Sequence, residues 1–205
     1  MFWFHPDLER LENEIKTLEY KPKLVFYGSS TFTSWSEVTT IFKQYNPINL
    51  GFGGSSLAAC TWFFERIFEN IKELDAIIIY AGDNDLGNGR HPEELILHLE
   101  NLLSKISKKY GNIKCTFISI KPSPSRVHLL NSIHYTNHKI KKLLSTNTNF
   151  YFINIFDDLL DKNGNPNSMY FQEDGLHFNA LGYQLLENIL QKNSEIFPLK
   201  TSIKT

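Results

Sequence analysis

The chain has 205 residues, of which 41% are apolar and 21% charged, and its formal net charge is −1. The length allows one domain with a substantial core, and the composition is ordinary for a soluble globular protein. A net charge near zero argues against a nucleic-acid-binding surface, which needs clustered positive charge. The two cysteines, Cys60 and Cys115, lie in apolar surroundings without zinc-site spacing, so we expect buried thiols and no metal.

The N-terminus does not resemble a secretion signal. Its apolar run covers only residues 1–4, and acidic residues follow it closely. The longest apolar run elsewhere, "AIIIYAG", is too short to cross a bilayer. We therefore expect a cytoplasmic protein that does not insert into a membrane.

The predicted elements alternate along the chain between helices and strands. A first helix is predicted over about residues 6–20, where apolar side chains recur at helical spacing: Leu8, Leu11, Ile15 and Leu18. Strands are predicted at "KLVFYG", "PINLGFGG", "DAIIIYAG", "KCTFISI" and "NFYFINI". The helices that follow are predicted over 36–45 with Ser36 as its cap, then 56–74, 91–111, 129–145 and 179–193. This alternation predicts a three-layer α/β/α sandwich around a five-stranded parallel sheet. Without linker, repeat or low-complexity segment, we expect a single domain over residues 1–205.

Four loops at the predicted strand ends carry the residues of greatest chemical interest. In open parallel sheets, ligands bind beyond the carboxyl ends of the strands. The loops hold Gly28-Ser29-Ser30, residues 51–54 ("GFGG"), residues 82–85 ("GDND") and residues 174–177 ("DGLH"). Together they supply a hydroxyl, flexible backbone amides, a carboxamide, a carboxylate and an imidazole. These are the groups that acyl transfer requires as nucleophile, base, base-orienting group and oxyanion donors.

Spacing favours particular roles for these groups. Asp174 and His177 are three residues apart, so one turn of backbone can bring the carboxylate to the imidazole. Gly54 can offer its amide to an oxyanion because glycine tolerates a close approach, and Asn84 can offer its side-chain NH2. Each residue also has a simpler interpretation, such as Ser30 capping a helix, Asp174 forming a turn or His177 lying at the surface. Their joint occurrence at four strand ends favours catalysis.

The segments "YGSSTFTSW", "NLGFGGSS", "GDND" and "DGLHFNALGY" resemble the sequence blocks of the SGNH, or GDSL-type, hydrolases over residues 24–183. They look closest to the lipase/acylhydrolase and platelet-activating-factor-acetylhydrolase-like branch. The resemblance implies a flavodoxin-like fold with Ser30 as nucleophile and Asp174 and His177 completing the triad. It implies an oxyanion hole made of the Ser30 and Gly54 amides and the Asn84 side chain. Ser29 stands where the family usually has aspartate, and we expect it to shape the turn.

We therefore predict a serine esterase that cleaves a small-molecule ester through an acyl-enzyme, without a cofactor. No long apolar lid is evident, which favours a short acyl group such as acetyl on a sugar or a small alcohol. In "KPSPSRVHLLN", Lys121, Arg126 and His128 are candidates to border the pocket, with Arg126 as the candidate substrate-binding residue.

The aromatic residues Trp35, Trp62 and Phe63 either flank the pocket or belong to the core. Two other functions stay open from the sequence: a non-catalytic α/β ligand-binding module, and an acyltransferase that uses the same triad. A nucleotide-binding flavodoxin-like protein is a more distant third. The sequence leaves the natural ester, the oligomeric state and the order of the 157–174 loop open.

Overall fold

The structure, a computed structural model, describes residues 2–200. Five strands form one sheet: β1 (Leu24–Gly28), β2 (Pro47–Gly51), β3 (Ala76–Tyr80), β4 (Lys114–Ile118) and β5 (Phe150–Ile153). All neighbouring strands are parallel, and their order across the sheet is β2-β1-β3-β4-β5. The predicted parallel sheet is confirmed.

Eight α-helices connect or flank the strands. They are α1 (His5–Thr17), α2 (Ser30–Thr33), α3 (Val38–Ile41), α4 (Leu57–Ile67), α5 (Asp83–Gly87), α6 (Pro92–Tyr110), α7 (Leu130–Leu144) and α8 (Ala180–Lys192). Side chains of α1, α4, α6 and α7 join the core on one face of the sheet, and those of α2, α3 and α8 join the core on the other. The predicted three-layer α/β/α sandwich is therefore confirmed.

Strand β1 shows why the sheet is apolar on both faces. Its alternate residues point to opposite sides, so Val25 and Tyr27 enter one core while Phe26 enters the other. All five residues of β1 and all five of β3 are buried. A continuous apolar run is what a parallel strand covered by helices on both faces requires.

Two predicted helices differ from the structure. The helix predicted over 36–45 is reduced to α3 and a 3₁₀ turn at Lys43–Tyr45, and Ser36 caps neither. The helix predicted over 56–74 ends at Ile67. Its apolar periodicity continues because Phe68, Ile71 and Leu74 also reach the core, but they do so from irregular backbone.

The first helix is also shorter than predicted, since α1 ends at Thr17. The short helices α2 and α5 follow β1 and β3 directly and were not predicted. No helix within residues 2–200 combines the length and apolar character needed to span a bilayer. The cytoplasmic location and the single domain stay predictions.

The register of the central strands places the loops after β1, β2 and β3 side by side. Gly28 pairs with Gly51 of β2 and with Tyr80 of β3, so all three strands end at one level of the sheet. A side chain at Gly28 would put its Cβ 1.9 Å from the Tyr80 carbonyl oxygen. The absence of a side chain therefore lets β1 turn tightly against β3 and brings residues 29 and 30 to the edge between these strands.

Candidate active site

Ser30 opens the short helix α2 at the carboxyl end of β1. Its Oγ lies 3.1 Å from Nε2 of His177, within hydrogen-bond distance, although the two residues are 147 positions apart in sequence. The side-chain cap that would explain Ser30 more simply is absent, because α2 has no side-chain capping hydrogen bond and its N-cap residue is Ser29. The Ser30 hydroxyl is thus engaged with an imidazole.

Asp174 orients that imidazole from the other side. Its Oδ2 lies 2.5 Å from Nδ1 of His177, and its Oδ1 accepts the amides of Leu176 at 2.8 Å and His177 at 3.0 Å. The hydrogen bond from the His177 ring, followed by those from the two amides, lowers the pKa of Asp174 to about 2. A carboxylate that is ionised at neutral pH can only accept, so Nδ1 carries the proton and Nε2 offers its lone pair to Ser30.

The loop that carries Asp174 and His177 is fixed at several points. Gly175 adopts a left-handed conformation, with φ 64°, and its carbonyl accepts the Ser125 amide at 3.0 Å. The carbonyl of His177 accepts the Gln172 amide at 2.8 Å. These bonds hold the imidazole between the turn after β4 and its own loop, so its position does not depend on Ser30 alone.

Two of the three predicted oxyanion donors, Gly54 and Asn84, lie on neighbouring segments. Gly54, in the loop after β2, is exposed at φ +68°, a conformation that side chains other than glycine rarely adopt. Asn84, at the start of α5, donates one side-chain hydrogen to the carbonyl of Ser55 at 3.0 Å. The second hydrogen of that NH2 group has no partner within residues 2–200 and remains available to a ligand.

Asp85 links α5 to the start of α4. No role was predicted for it from the sequence. It is fully buried, and its Oδ2 accepts the amide of Leu57, the first residue of α4, at 2.7 Å. Burial raises the pKa of Asp85, and the hydrogen bonds from the amides of Leu57 and Ala58 partly counter this rise. The carboxylate therefore ties α5 to the far end of the Gly54 loop. The only sequence signal was its place in "GDND".

Ser29 shapes the turn after β1 through its backbone and not through its side chain. Its hydroxyl is buried and has no hydrogen-bond partner within residues 2–200. The turn is instead held by its backbone, since its amide donates to the Tyr80 carbonyl at 2.9 Å and its carbonyl accepts the Phe32 amide at 2.9 Å. The hydroxyl that lies within hydrogen-bond distance of His177 is that of Ser30 and not that of Ser29.

Several candidates for the pocket border lie elsewhere. Lys121 is only 1% exposed and forms an ion pair with Asp83, so the expectation that it borders the pocket is wrong. Trp35 and Phe63 are buried in the two cores. Trp62 is exposed on α4 but lines a groove with α1 that contains no triad residue.

Arg126 lies in the turn after β4, beside both the predicted triad loop and α5. Its guanidinium rests on Gly87, where a Cβ would come within 2.5 Å of the Arg126 Cζ. Gly87 is one helical turn from Asn84. Within residues 2–200 the guanidinium has no hydrogen bond or ion pair, and its Nε is buried without a partner. Its charge also helps to lower the pKa of Asp83, so the guanidinium interacts electrostatically with that carboxylate while its hydrogen-bond donors have no acceptor among residues 2–200.

In the part of the chain that the structure describes, no three His, Cys, Asp or Glu side chains are grouped so that they could hold a metal ion. The arrangement consists of a hydroxyl, an imidazole and a carboxylate in series, next to amide donors. Such a set can carry out acyl transfer with protein groups alone.

Comparison with known proteins identifies the family of the chain and solved structures with a similar fold. The model of the GDSL-like lipase/acylhydrolase family matches residues 22–185. The chain belongs to this family. A GDSL-like lipase from Bacteroides thetaiotaomicron has a similar structure, with a TM-score of 0.77, 20% identity and coverage of 92% of this chain and 97% of that one. The lipase/acylhydrolase from Enterococcus faecalis has a TM-score of 0.69 at 19% identity, covering 88% of this chain and 99% of that one.

Among curated proteins, the chain is similar to an N-acylneuraminate cytidylyltransferase of Escherichia coli O18:K1:H7. The two are 30% identical over 194 residues, which cover 90% of this chain and 42% of that enzyme. A UPF0246 protein of Rickettsia africae is 32% identical over 123 residues, covering 54% of this chain and 48% of that protein. The chain thus spans less than half the length of these relatives. Membership of the GDSL-like lipase/acylhydrolase family confirms the predicted family and SGNH fold and supports the predicted ester hydrolase.

Proposed function

We propose that this GDSL-type hydrolase is a serine esterase that removes a short acyl group, such as acetyl, from a hydroxyl of an acidic sugar. Ser30 is the nucleophile, His177 the general base and Asp174 the group that orients it. The observation that carries the proposal is the continuous series from Ser30 Oγ to His177 at 3.1 Å and on to Asp174 at 2.5 Å.

In the first half-reaction, Ser30 Oγ attacks the ester carbonyl carbon while its proton moves to Nε2 of His177. The negative charge that forms on the carbonyl oxygen is stabilised by the amides of Ser30 and Gly54 and by the Asn84 side chain. The carbon–oxygen bond to the alcohol then breaks, and His177 gives its proton to the leaving oxygen. An acyl group remains on Ser30.

In the second half-reaction, water takes the place of the alcohol. His177 accepts a proton from the water, the hydroxide oxygen attacks the acyl carbon, and the bond to Ser30 Oγ breaks. The proton on His177 returns to Ser30, and the carboxylic acid leaves. Asp174 stays ionised throughout and stabilises the protonated imidazole in both halves.

The preference for a short acyl group is supported by three of the loops around Ser30. Those after β1, β2 and β3 are brief, and residues 52–56, between β2 and α4, are the longest of the three. Such loops offer little apolar surface to cover a long chain. A small acyl group can be accommodated without such a cover.

The acidic sugar is supported by Arg126 and by the Escherichia coli relative. That relative is, by its name, an enzyme of N-acylneuraminate, which carries a carboxylate and several hydroxyls. Arg126 places a guanidinium without a hydrogen bond against Gly87, one helical turn from Asn84, and a guanidinium binds a carboxylate with two parallel hydrogen bonds. We therefore expect an O-acylated neuraminate-type sugar as substrate, with Arg126 contacting its carboxylate.

Hydrolysis of p-nitrophenyl esters from acetate to palmitate tests the esterase and its acyl size. We expect cleavage of the acetate and a decline in kcat/KM as the chain lengthens. A protein that is inert with all of these esters would favour the binding-module alternative. Ester products formed when alcohols are added would favour the acyltransferase.

A comparison of two acetyl esters tests the acidic sugar. With Arg126→Gln, kcat/KM for an O-acetylated neuraminic acid should fall about 10- to 100-fold, as expected for loss of a charge-assisted bidentate contact. The rate with p-nitrophenyl acetate should stay near that of the wild type. An equal loss on both esters would contradict the contact and point to a general effect on the site.

A further inference from the structure

Lys121 is a buried lysine that the proposed mechanism does not use. It follows β4 and is 1% exposed, and its partner Asp83 is 4% exposed. Lysine is almost never fully buried unless it is paired, because its charge loses the surrounding water. An apolar side chain of the same length would fill the space without the free-energy cost of removing a charge from water. The presence of an ammonium group at this place therefore requires an explanation.

The ammonium meets three segments, each next to a residue of the proposed site. Its Nζ lies 2.8 Å from Oδ2 of Asp83 and 3.5 Å from Oγ1 of Thr31, and it stands 5.6 Å from the centre of the Phe178 ring. Asp83 precedes Asn84, Thr31 follows Ser30, and Phe178 follows His177. One cation thus contacts the immediate neighbours of the proposed nucleophile, oxyanion donor and general base.

Two further contacts restrict the positions of Lys121 and Asp83. Tyr80, at the end of β3, accepts a hydrogen bond from Nζ at 3.1 Å through its hydroxyl. The other carboxylate oxygen of Asp83 accepts the backbone amide of Asn84 at 3.0 Å. The chain of contacts therefore runs from Lys121 through Asp83 to the backbone of Asn84, and any shift of the ammonium would be transmitted to that residue.

The charge state agrees with this geometry. Burial alone would lower the pKa of Lys121, but Asp83 and Tyr80 raise it above its usual value. Burial alone would raise the pKa of Asp83, but the Lys121 ammonium, the Asn84 amide and the charge of Arg126 bring it below its usual value. Both groups are therefore ionised near neutral pH and attract each other in a region of low polarity.

We propose that Lys121 is a positioning residue of the active site. By contacting their chain neighbours, its ammonium fixes the relative positions of Ser30, Asn84 and His177. This inference rests on the proposed esterase function. The three loops arise from different strands, and the ammonium is the group that they share. Loss of the ammonium should leave a folded enzyme whose reacting groups are misplaced, and a displacement of about 1 Å lowers a rate by about 100-fold.

The test compares Lys121→Met with the wild type in p-nitrophenyl acetate hydrolysis, at equal concentrations of folded protein. We expect kcat to fall about 100-fold with KM within about twofold of the wild type. The rate of labelling of Ser30 by a fluorophosphonate should fall in parallel. Wild-type kcat per folded molecule would overturn the positioning role and leave Lys121 as a packing residue only.

Lys114 offers a matched control on the same strand. It begins β4 at the opposite end and donates to the carbonyls of Glu195 and Phe197, both at 2.7 Å. Lys114→Met removes a lysine with several hydrogen bonds far from the site, so its kcat should equal that of the wild type. A similar loss of kcat in this variant would show that the effect of Lys121→Met is not specific to the site, and would overturn the proposal.

Thr31→Val covers the case in which Lys121→Met does not fold. It keeps the shape of the side chain but removes the hydroxyl that Nζ contacts beside Ser30. We expect kcat to fall severalfold with unchanged KM, and an unchanged kcat would overturn the proposal. A wild type that neither hydrolyses the ester nor reacts with the fluorophosphonate would instead overturn the proposed function, and the positioning role with it.

Discussion

Asp174 receives three hydrogen bonds, all from its own loop: one from the His177 ring and two from the amides of Leu176 and His177. Because all three favour the ionised carboxyl, its pKa falls from the ordinary 3.8 to about 2. The side chain is 46% exposed and burial would raise its pKa, so the lowering comes from these bonds and not from burial. The carboxylate is therefore charged at neutral pH.

The lowered pKa of Asp174 gives a prediction about stability and pH. A folded-state pKa below the unfolded value contributes stability that is complete above about pH 4 and disappears as the pH falls through about 2. The difference in unfolding free energy between wild type and Asp174→Asn should therefore shrink as the pH falls from about 4 to 2. Urea unfolding of both proteins across this range measures it. A difference already lost at pH 5, or unchanged at pH 2, would contradict the assignment.

The residues of the site were predictable to different degrees. The spacing of Asp174 and His177 favoured their pairing, because three residues suffice for one turn. Lys121 was misjudged because an isolated lysine in a loop is normally exposed, and its partner Asp83 is 38 residues away. The signal that could have found it is its position directly after "FISI", where the chain is still leaving the buried strand β4.

At the scale of an element, the start of helix α4 is determined by a local capping residue, whereas its end is not marked by the apolar pattern. Apolar periodicity predicted its start within one residue, and the structure shows that Ser56 is the N-cap residue, whose side chain accepts the amide of Ala59 at 3.0 Å. Its end was predicted seven residues too late, at 74 instead of Ile67. Residues Phe68, Ile71 and Leu74 keep the helical period although they pack on the core as irregular chain, and periodicity alone cannot distinguish these cases.

The caps give a paired prediction for these elements. Ser56→Ala should lower the unfolding free energy by about 1 kcal/mol, because an amide of the first turn of α4 loses its acceptor. Ser36→Ala is the control, since Ser36 is exposed and caps no helix in the structure. Its unfolding free energy should equal that of the wild type within about 0.5 kcal/mol. Equal losses in the two variants, measured by chemical denaturation, would contradict the capping assignment.

At the scale of the whole molecule, the alternation of apolar runs and amphipathic helices was sufficient to predict the fold. Parallel strands joined by helices leave few topologies, because each crossover is right-handed and covers one face of the sheet. The strand ends then converge, as the pairing of Gly28 with Gly51 and Tyr80 demonstrates. The contacts between loops, such as those of Asp85 and Lys121, required the structure itself, and so did the short helices α2 and α5.

The two cysteines provide a prediction for the molecule as a whole. Cys60 and Cys115 are both buried and unpaired, and burial raises the pKa of the Cys115 thiol to about 12 and that of Cys60 further. The thermal midpoint should therefore be the same with and without dithiothreitol. A thiol reagent should modify neither cysteine before unfolding and both after it. Rapid modification of the native protein, or a midpoint that falls with reductant, would contradict the burial of these thiols.

The identity of the nucleophile is the central claim, and labelling with a fluorophosphonate tests it most directly. The reagent phosphonylates an activated serine, and peptide mass spectrometry of the labelled wild type locates the adduct. We predict the adduct on Ser30, none in Ser30→Ala, and continued labelling in Ser29→Ala, because the Ser29 hydroxyl has no partner within residues 2–200. An adduct on Ser29, or undiminished labelling of Ser30→Ala, would contradict the account.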